Sequence, residues 1–217
     1  MSKYLKIMLS GLVISLLGSL PFGTLNTTAF QIAASQSVRD ALLFAIAVVL
    51  IELIVVRITL VRSIKIDFQS KLFLYIFPVA IALLVYLSVS SFMSSVDQQV
   101  METNSYLFPI IKSSFLLGLL LSAFNPMQIP FWIGWNNVLL ERKSLDKTSG
   151  MYSFYITGIG LGSITSLMVF IFSGKYLYQN HQQYNHVIAF IMGCLYLGFS
   201  LYLLYLFYKK HLKLNIV

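Results

Sequence analysis

The residues of this chain best suited to chemistry are one isolated carboxylate and two polar breaks, all set in apolar surroundings. Glu52 has apolar neighbours from Ala45 to Leu50 and again from Leu53 to Val56. At membrane depth a carboxylate costs several kcal/mol unless it is paired, hydrated or protonated, which makes Glu52 a candidate proton carrier. The competing reading is a protonated glutamate that ties one helix to its neighbour. Arg57 lies five positions on, about 140° round a helix, so it is a poor partner for Glu52. It stands near the end of the same apolar run and reads as a cation that snorkels to the interface.

The two breaks are Leu20-Pro21-Phe22-Gly23-Thr24-Leu25-Asn26 and Phe124-Asn125-Pro126-Met127-Gln128-Ile129-Pro130. Proline removes an amide donor and crowds the carbonyl four residues back. Pro21 is therefore expected to free the Leu17 carbonyl and Pro126 that of Ser122, with Pro130 a second break one turn later. Freed backbone groups are tolerated in a bilayer where they line a cavity, and less so where they face lipid. A broken helix also presents amides on one side of the gap and carbonyls on the other, enough to hold both ends of a zwitterion. The expected solute-binding residues are Pro21, Gly23, Thr24 and Asn26 in the first break and Asn125, Pro126 and Gln128 in the second. The plain alternative is a packing kink, the reading given to Pro78.

Other candidates carry less. Gly158 and Gly162 have the spacing of close helix packing, within a run that continues to Ser163, Thr165 and Ser166. Trp132 and Trp135 read as anchors at the membrane interface. His181 and His186 have no cysteine or clustered carboxylate beside them, so no metal site is expected. A single cysteine, Cys194, excludes a dithiol relay. GxGxxG, P-loop, HExxH and GxSxG motifs are missing, so neither an enzyme nor a cofactor is expected.

The elements that must position these residues follow from composition. Of 217 residues 58% are hydrophobic and 10% charged, and the mean hydropathy is +0.83. A globular protein has roughly 45–50% apolar and about 25% charged residues. Apolar runs long enough to cross a bilayer lie near Ile7 to Ala33, Ala41 to Val61, Leu72 to Phe92, Ile110 to Trp135, Tyr152 to Phe172 and Val187 to Tyr208. The expectation is an all-α polytopic membrane protein of six spans. The first run, preceded by Lys3 and Lys6, resembles a signal peptide, but no small-residue cleavage site follows promptly and it is read as a span.

The net charge of +8 would suggest nucleic acid in a soluble protein; here the placement of the cations decides. With six spans, Lys3, Lys6, Arg62, Lys65, Lys71, Arg142, Lys143, Lys147, Lys209, Lys210 and Lys213 share one side. Only Arg39, Lys112 and Lys175 fall on the other. That bias puts both termini in the cytoplasm. The polar interval 93–109 separates a first repeat, 1–92, from a second, 110–217, within one membrane domain. Three spans per half make the halves oppositely oriented, an inverted-topology repeat whose first and fourth helices are the broken ones.

In these features the chain resembles the LysE/RhtB superfamily of bacterial exporters. Gly18-Ser19-Leu20-Pro21-Phe22-Gly23 is similar to that family's Pro-Gly-Pro turn, and Gly118 with Asn125-Pro126 to its Asn-Pro-Lys motif. Glu52 falls where the family tends to place an acidic residue. Phe22, Gly23 and Met127 depart from the motifs, and Met127 removes a cation. The resemblance implies a six-span secondary transporter in the bacterial cytoplasmic membrane that exports an amino acid or similar solute against protons or sodium. The partners expected are the solute, the bilayer and a second copy in a homodimer, with no nucleic acid. The alternative is a membrane scaffold or accessory subunit without transport, which would tolerate joint substitution of Glu52, Asn26 and Asn125.

Overall fold

The computed structural model describes residues 3–19, 24–62, 71–96, 113–142, 145, 149–180 and 185–209. Among the described residues every regular element is a helix: α1 (Lys3–Ser19), α2 (Thr24–Ser35), α3 (Val38–Arg62), α4 (Lys71–Val96), α5 (Ser114–Ala123), α6 (Gln128–Glu141), α7 (Ser149–Asn180) and α8 (Asn185–Phe207). Hydrocarbon offers the backbone no hydrogen bonds, so a spanning segment must satisfy its own, as a helix does. Four helices are long and apolar enough to cross a bilayer, over Val38–Val61, Tyr75–Met93, Gly150–Leu177 and His186–Phe207. Helices α5 and α6 meet the same test as a pair bent by 61°. Helices α1, with 17 residues, and α2, with 12, are short of a span taken singly. Outward faces are apolar, with Ile54, Val61, Val89, Phe172, Phe190 and Leu201 all more than half exposed. In water that surface would aggregate; against lipid tails it is at home.

Element ends differ from the sequence expectation by up to two turns. Helix α4 runs through Pro78 and past Phe92 to Val96, and α7 runs past Phe172 to Asn180. Nothing in Met93-Ser94-Ser95 or Ser173-Gly174-Lys175 breaks a helix outright, and hydropathy marks where apolar residues stop, not where the backbone does. The turn before α3 is closed by a reciprocal cap: Asp40 N–H donates to Ser37 Oγ at 3.0 Å, and Ser37 Oγ donates to Asp40 Oδ2 at 2.6 Å. Residues 97–112, which hold most of the expected interval between the halves, lie outside the described residues.

Pairing among the helices is set by small residues. A Cβ on Gly158 would overlap the Met8 carbonyl, and one on Gly162 would meet the carbonyl of Leu12 and, at 3.0 Å, the Cβ of Ser15. The glycine pair thus brings α1 onto α7, the packing role its spacing predicts. Farther along α7, Ser166 takes a bond from Asn26, and Gly174 packs on Phe30 of α2. Residue numbers rise together from Met8 and Gly158 to Phe30 and Gly174, so α1 and α2 lie in succession along α7 and point the same way.

The second broken pair behaves alike on α3. A Cβ on Gly118 would sit 2.6 Å from the Phe44 carbonyl and 2.9 Å from the Ala47 Cβ. Ser122 Oγ donates to the Val48 carbonyl, and Asn136 Nδ2 donates to Thr59 Oγ1 at 2.9 Å. Helices α4 and α8 run antiparallel, with Phe77 against Phe207 and Ser88 Oγ donating to the Gly193 carbonyl at 2.9 Å. Helices α3 and α7 also cross antiparallel, Glu52 meeting Ser163 and Arg57 lying 5.9 Å from the Tyr152 ring centre.

Two apolar clusters result. One contains Phe44, Phe77, Leu87, Leu121, Ile171 and Tyr196 from α3, α4, α5, α7 and α8. The other contains Ile7, Val56, Trp132, Leu139, Tyr155 and Ile159 from α1, α3, α6 and α7.

Candidate functional site

A cavity of about 320 Å³ lies among these helices, walled by Leu84, Leu121 and Leu167 of the first cluster and Trp132 of the second. Its polar wall consists of Ser15, Thr24, Asn26, Glu52, Asn125, Gln128, Trp132, Ser163 and Tyr202. Glu52 is the one ionisable carboxylate there, and no lysine, arginine or histidine stands among the described lining residues.

Each polar group is placed by its helix. Glu52, near the middle of α3, faces α7, and Ser163 Oγ donates to Glu52 Oε2. The indole of Trp132 supplies a second hydrogen bond to the same carboxylate. Ser163 Oγ lies 2.5 Å from Ser15 Oγ of α1, so three helices meet at this carboxylate. On α2, Asn26 is 3% exposed and its Nδ2 donates to Ser166 Oγ at 3.1 Å. Thr27 Oγ1 and Thr28 Oγ1 both donate to the Thr24 carbonyl, at 3.0 and 2.7 Å, which secures the first turn of α2 beside the cavity.

The bend between α5 and α6 corrects two expectations. The Ser122 carbonyl is not left free: Asn125 N–H donates to it at 3.2 Å, because the last turn of α5 tightens to a three-residue step. Pro130 is not a second break, since it falls in the first turn of α6, where amides have no intrahelical acceptor and proline is harmless. The reversal is built by Asn125 instead. Its Oδ1 accepts from Met127 N–H at 3.2 Å and its carbonyl from Gln128 N–H at 3.3 Å. Gln128 is nearly buried, and its Oε1 accepts from Ser122 Oγ at 3.4 Å.

The cavity therefore brings together Thr24, Asn26, Glu52, Asn125, Pro126 and Gln128 from both breaks. Pro21 and Gly23 lie outside the described residues, as does His181. Trp132 is a correction. It is 1% exposed and touches the cavity and Glu52, because the 61° bend turns this face of α6 inward; Trp135, on another face, is 41% exposed. Arg57 stacks over Tyr152 and leaves Glu52 to Ser163.

Sequence reasoning passed over Ser15 and Tyr202 and gave Ser163 and Trp132 no part in the site. A signal existed for the serines, which stand at mid-span beside glycine-mediated contacts, but glycine packing alone absorbed it. For Tyr202, 52% exposed on α8, the sequence holds no signal apart from a tyrosine in an apolar run.

A family model described as LysE type translocator matches residues 16–206, which takes in both breaks, Glu52 and Ser163. No curated protein and no solved structure matches the chain.

Proposed function

The chain belongs to the LysE type translocator family, and from that premise we propose that it is a secondary transporter that exports a small polar solute, such as an amino acid, in exchange for protons. The observation that carries this reading is the meeting on a single cavity of residues from both sequence breaks, the second of them a pair of helices bent by 61°, with one carboxylate set in an apolar helix. Solute sites of secondary transporters are built at such paired breaks near the midplane. The amides of Asn26, Asn125 and Gln128 would take the polar groups of the solute, while leucines and aromatic rings cover its carbon skeleton. Glu52 would carry the proton, since its immediate partners, Ser163 and Trp132, are neutral.

The six-span inverted repeat is part of the same proposal. A two-fold rotation that exchanges the halves turns the α1/α2–α7 pair into the α5/α6–α3 pair, and both pairs are same-direction contacts made close by glycine. It returns α3–α7 and α4–α8 onto themselves, and both of those are antiparallel. Such a pattern is what six alternating spans produce when α1 with α2 counts as one. The cation bias supports cytoplasmic termini in a bacterial inner membrane.

The test is a comparison of metabolites released by cells with and without the protein, followed by flux of the enriched compound in proteoliposomes under an imposed proton gradient. Release that does not differ, together with full tolerance of the Glu52→Gln, Asn26→Leu, Asn125→Leu triple variant in its host, would favour the accessory-subunit reading.

A further inference from the structure

Three helices converge on the Glu52 carboxylate through a chain of two hydroxyls. Ser163 of α7 donates to Glu52, and Ser163 lies 2.5 Å from Ser15 of α1. Both serines are buried, at 3% and 2% exposure, and Ser15 stands one turn ahead of the first break. The contact exists because Gly158 and Gly162 let α1 press against α7 backbone to backbone.

Each hydroxyl has one proton, so the direction of donation along this chain is set at its end. While Glu52 is ionised, Ser163 spends its proton on the carboxylate and must accept from Ser15. When Glu52 is protonated, its new O–H needs an acceptor. Trp132 cannot serve, because an indole N–H only donates. Ser163 then accepts from Glu52 and turns its own proton to Ser15. Ser15 can no longer donate to Ser163, and the carbonyl one turn back in α1 is the local acceptor open to a helical serine, a bond that bends helices. The one covalent bond formed is the O–H of Glu52, whose proton comes from water reaching the cavity; along the two hydroxyls no covalent bond changes and two hydrogen bonds reverse.

We propose that Ser163 and Ser15 are positioning residues that transmit the protonation state of Glu52 to α1. This rests on the reading of Glu52 as the proton carrier and adds the route by which its charge moves α1, on which alternation of the cavity between the two sides depends. Few other titratable groups compete. Of the elements packed on α3, α2 and α5 have none in their sequence, α6 has only Glu141 at its exposed end, and α7 has Tyr152 and Tyr155 near Glu52 and Lys175, Tyr176 and Tyr178 toward its far end. Arg57 on α3 itself is engaged with Tyr152, and Tyr202 of α8 is the other titratable group on the cavity wall.

The test needs no known solute. The chain has two tryptophans, so Trp135→Phe leaves Trp132, beside the carboxylate, as an optical reporter of Glu52. A nitroxide on Leu17→Cys in a Cys194→Ser background, on an exposed face of α1, reports the helix. Both signals are followed against pH in reconstituted protein. The expected result is one shared midpoint, absent in Glu52→Gln. Ser163→Ala and Ser15→Ala should shrink the nitroxide response about five-fold, the factor expected from losing one hydrogen bond, while Trp132 still titrates; Ser15→Thr should restore it. A nitroxide response of unchanged size in both alanine variants overturns the relay, as does a parent in which Trp132 titrates and α1 stays still. If Trp132 emission is flat in the parent, Glu52 exchanges no proton, and the coupling role assigned to it falls as well. A working relay in a protein that moves no metabolite would sink the export reading alone.

Discussion

Replacing Glu52 separates its chemical role from its structural one, because the two candidate substitutions differ in what they leave for Ser163 and Trp132. In Glu52→Gln the side-chain oxygen can still accept from Ser163, so the link between α3 and α7 survives and only the exchangeable proton is lost. The cost to stability should stay below about 1 kcal/mol, the net worth of one neutral hydrogen bond. In Glu52→Leu Ser163 can turn its proton to Ser15, but Trp132 loses its acceptor in a buried place. A stranded buried donor costs about 1–3 kcal/mol, so the leucine variant should be the less stable of the two by at least that much. The assay pairs thermal unfolding in detergent with flux in proteoliposomes, using the solute found by metabolite comparison. Glu52→Gln should unfold near the parent temperature, lose proton-driven export down to the level of empty liposomes, and keep solute exchange at equal pH. Undiminished gradient-driven export by a well-folded glutamine variant would refute the reasoning and reduce Glu52 to a tie between helices.

Reporters fused after Val217 and tags near Lys65 and Lys143 should be cytoplasmic, with a tag near Asn104 labelled from outside; if the Asn104 tag and the C-terminus share a side, the six-span inverted repeat is wrong. Cysteines at Thr24 and Met127 in a Cys194→Ser background should react with small thiol reagents and be shielded by the solute, since both residues line one cavity; reagents reaching neither site from either side would mark the breaks as buried kinks. Asn125→Leu removes the acceptor that turns the chain into α6 and should abolish transport at normal expression, which flux measurements check. Gly118→Ala adds a methyl 2.6 Å from the Phe44 carbonyl and should destabilise by roughly 1–3 kcal/mol through overpacking, visible as a lower unfolding temperature; an unchanged temperature would contradict the tight α3–α5 contact.

Much of this molecule was legible in one dimension. Transfer of side chains to hydrocarbon depends on composition alone, so the apolar runs and their cation-rich flanks declare a membrane protein before any contact is known. Proline acts on its own turn, so the second break was visible at Asn125-Pro126, and Glu52 stood out because its neighbours in sequence are apolar. Local chemistry still decided details that counting offsets missed: Asn125 N–H took up the Ser122 carbonyl, and Pro130 was absorbed into a first turn.

What only the tertiary structure decided is which distant groups meet. Ser163 is 111 residues from Glu52 and Asn26 is 140 from Ser166, and no periodicity encodes such pairs. They form because Gly158, Gly162 and Gly118 allow backbones to touch, which fixes the rotation and height of each helix against its neighbour. Trp132 shows the same limit from the other side. Its position near the end of an apolar run suggested the interface, but the 61° bend carries it beneath the cavity beside Glu52. Hydropathy measures how far along a span a residue lies; the face it turns inward depends on packing, which is a property of all the helices together.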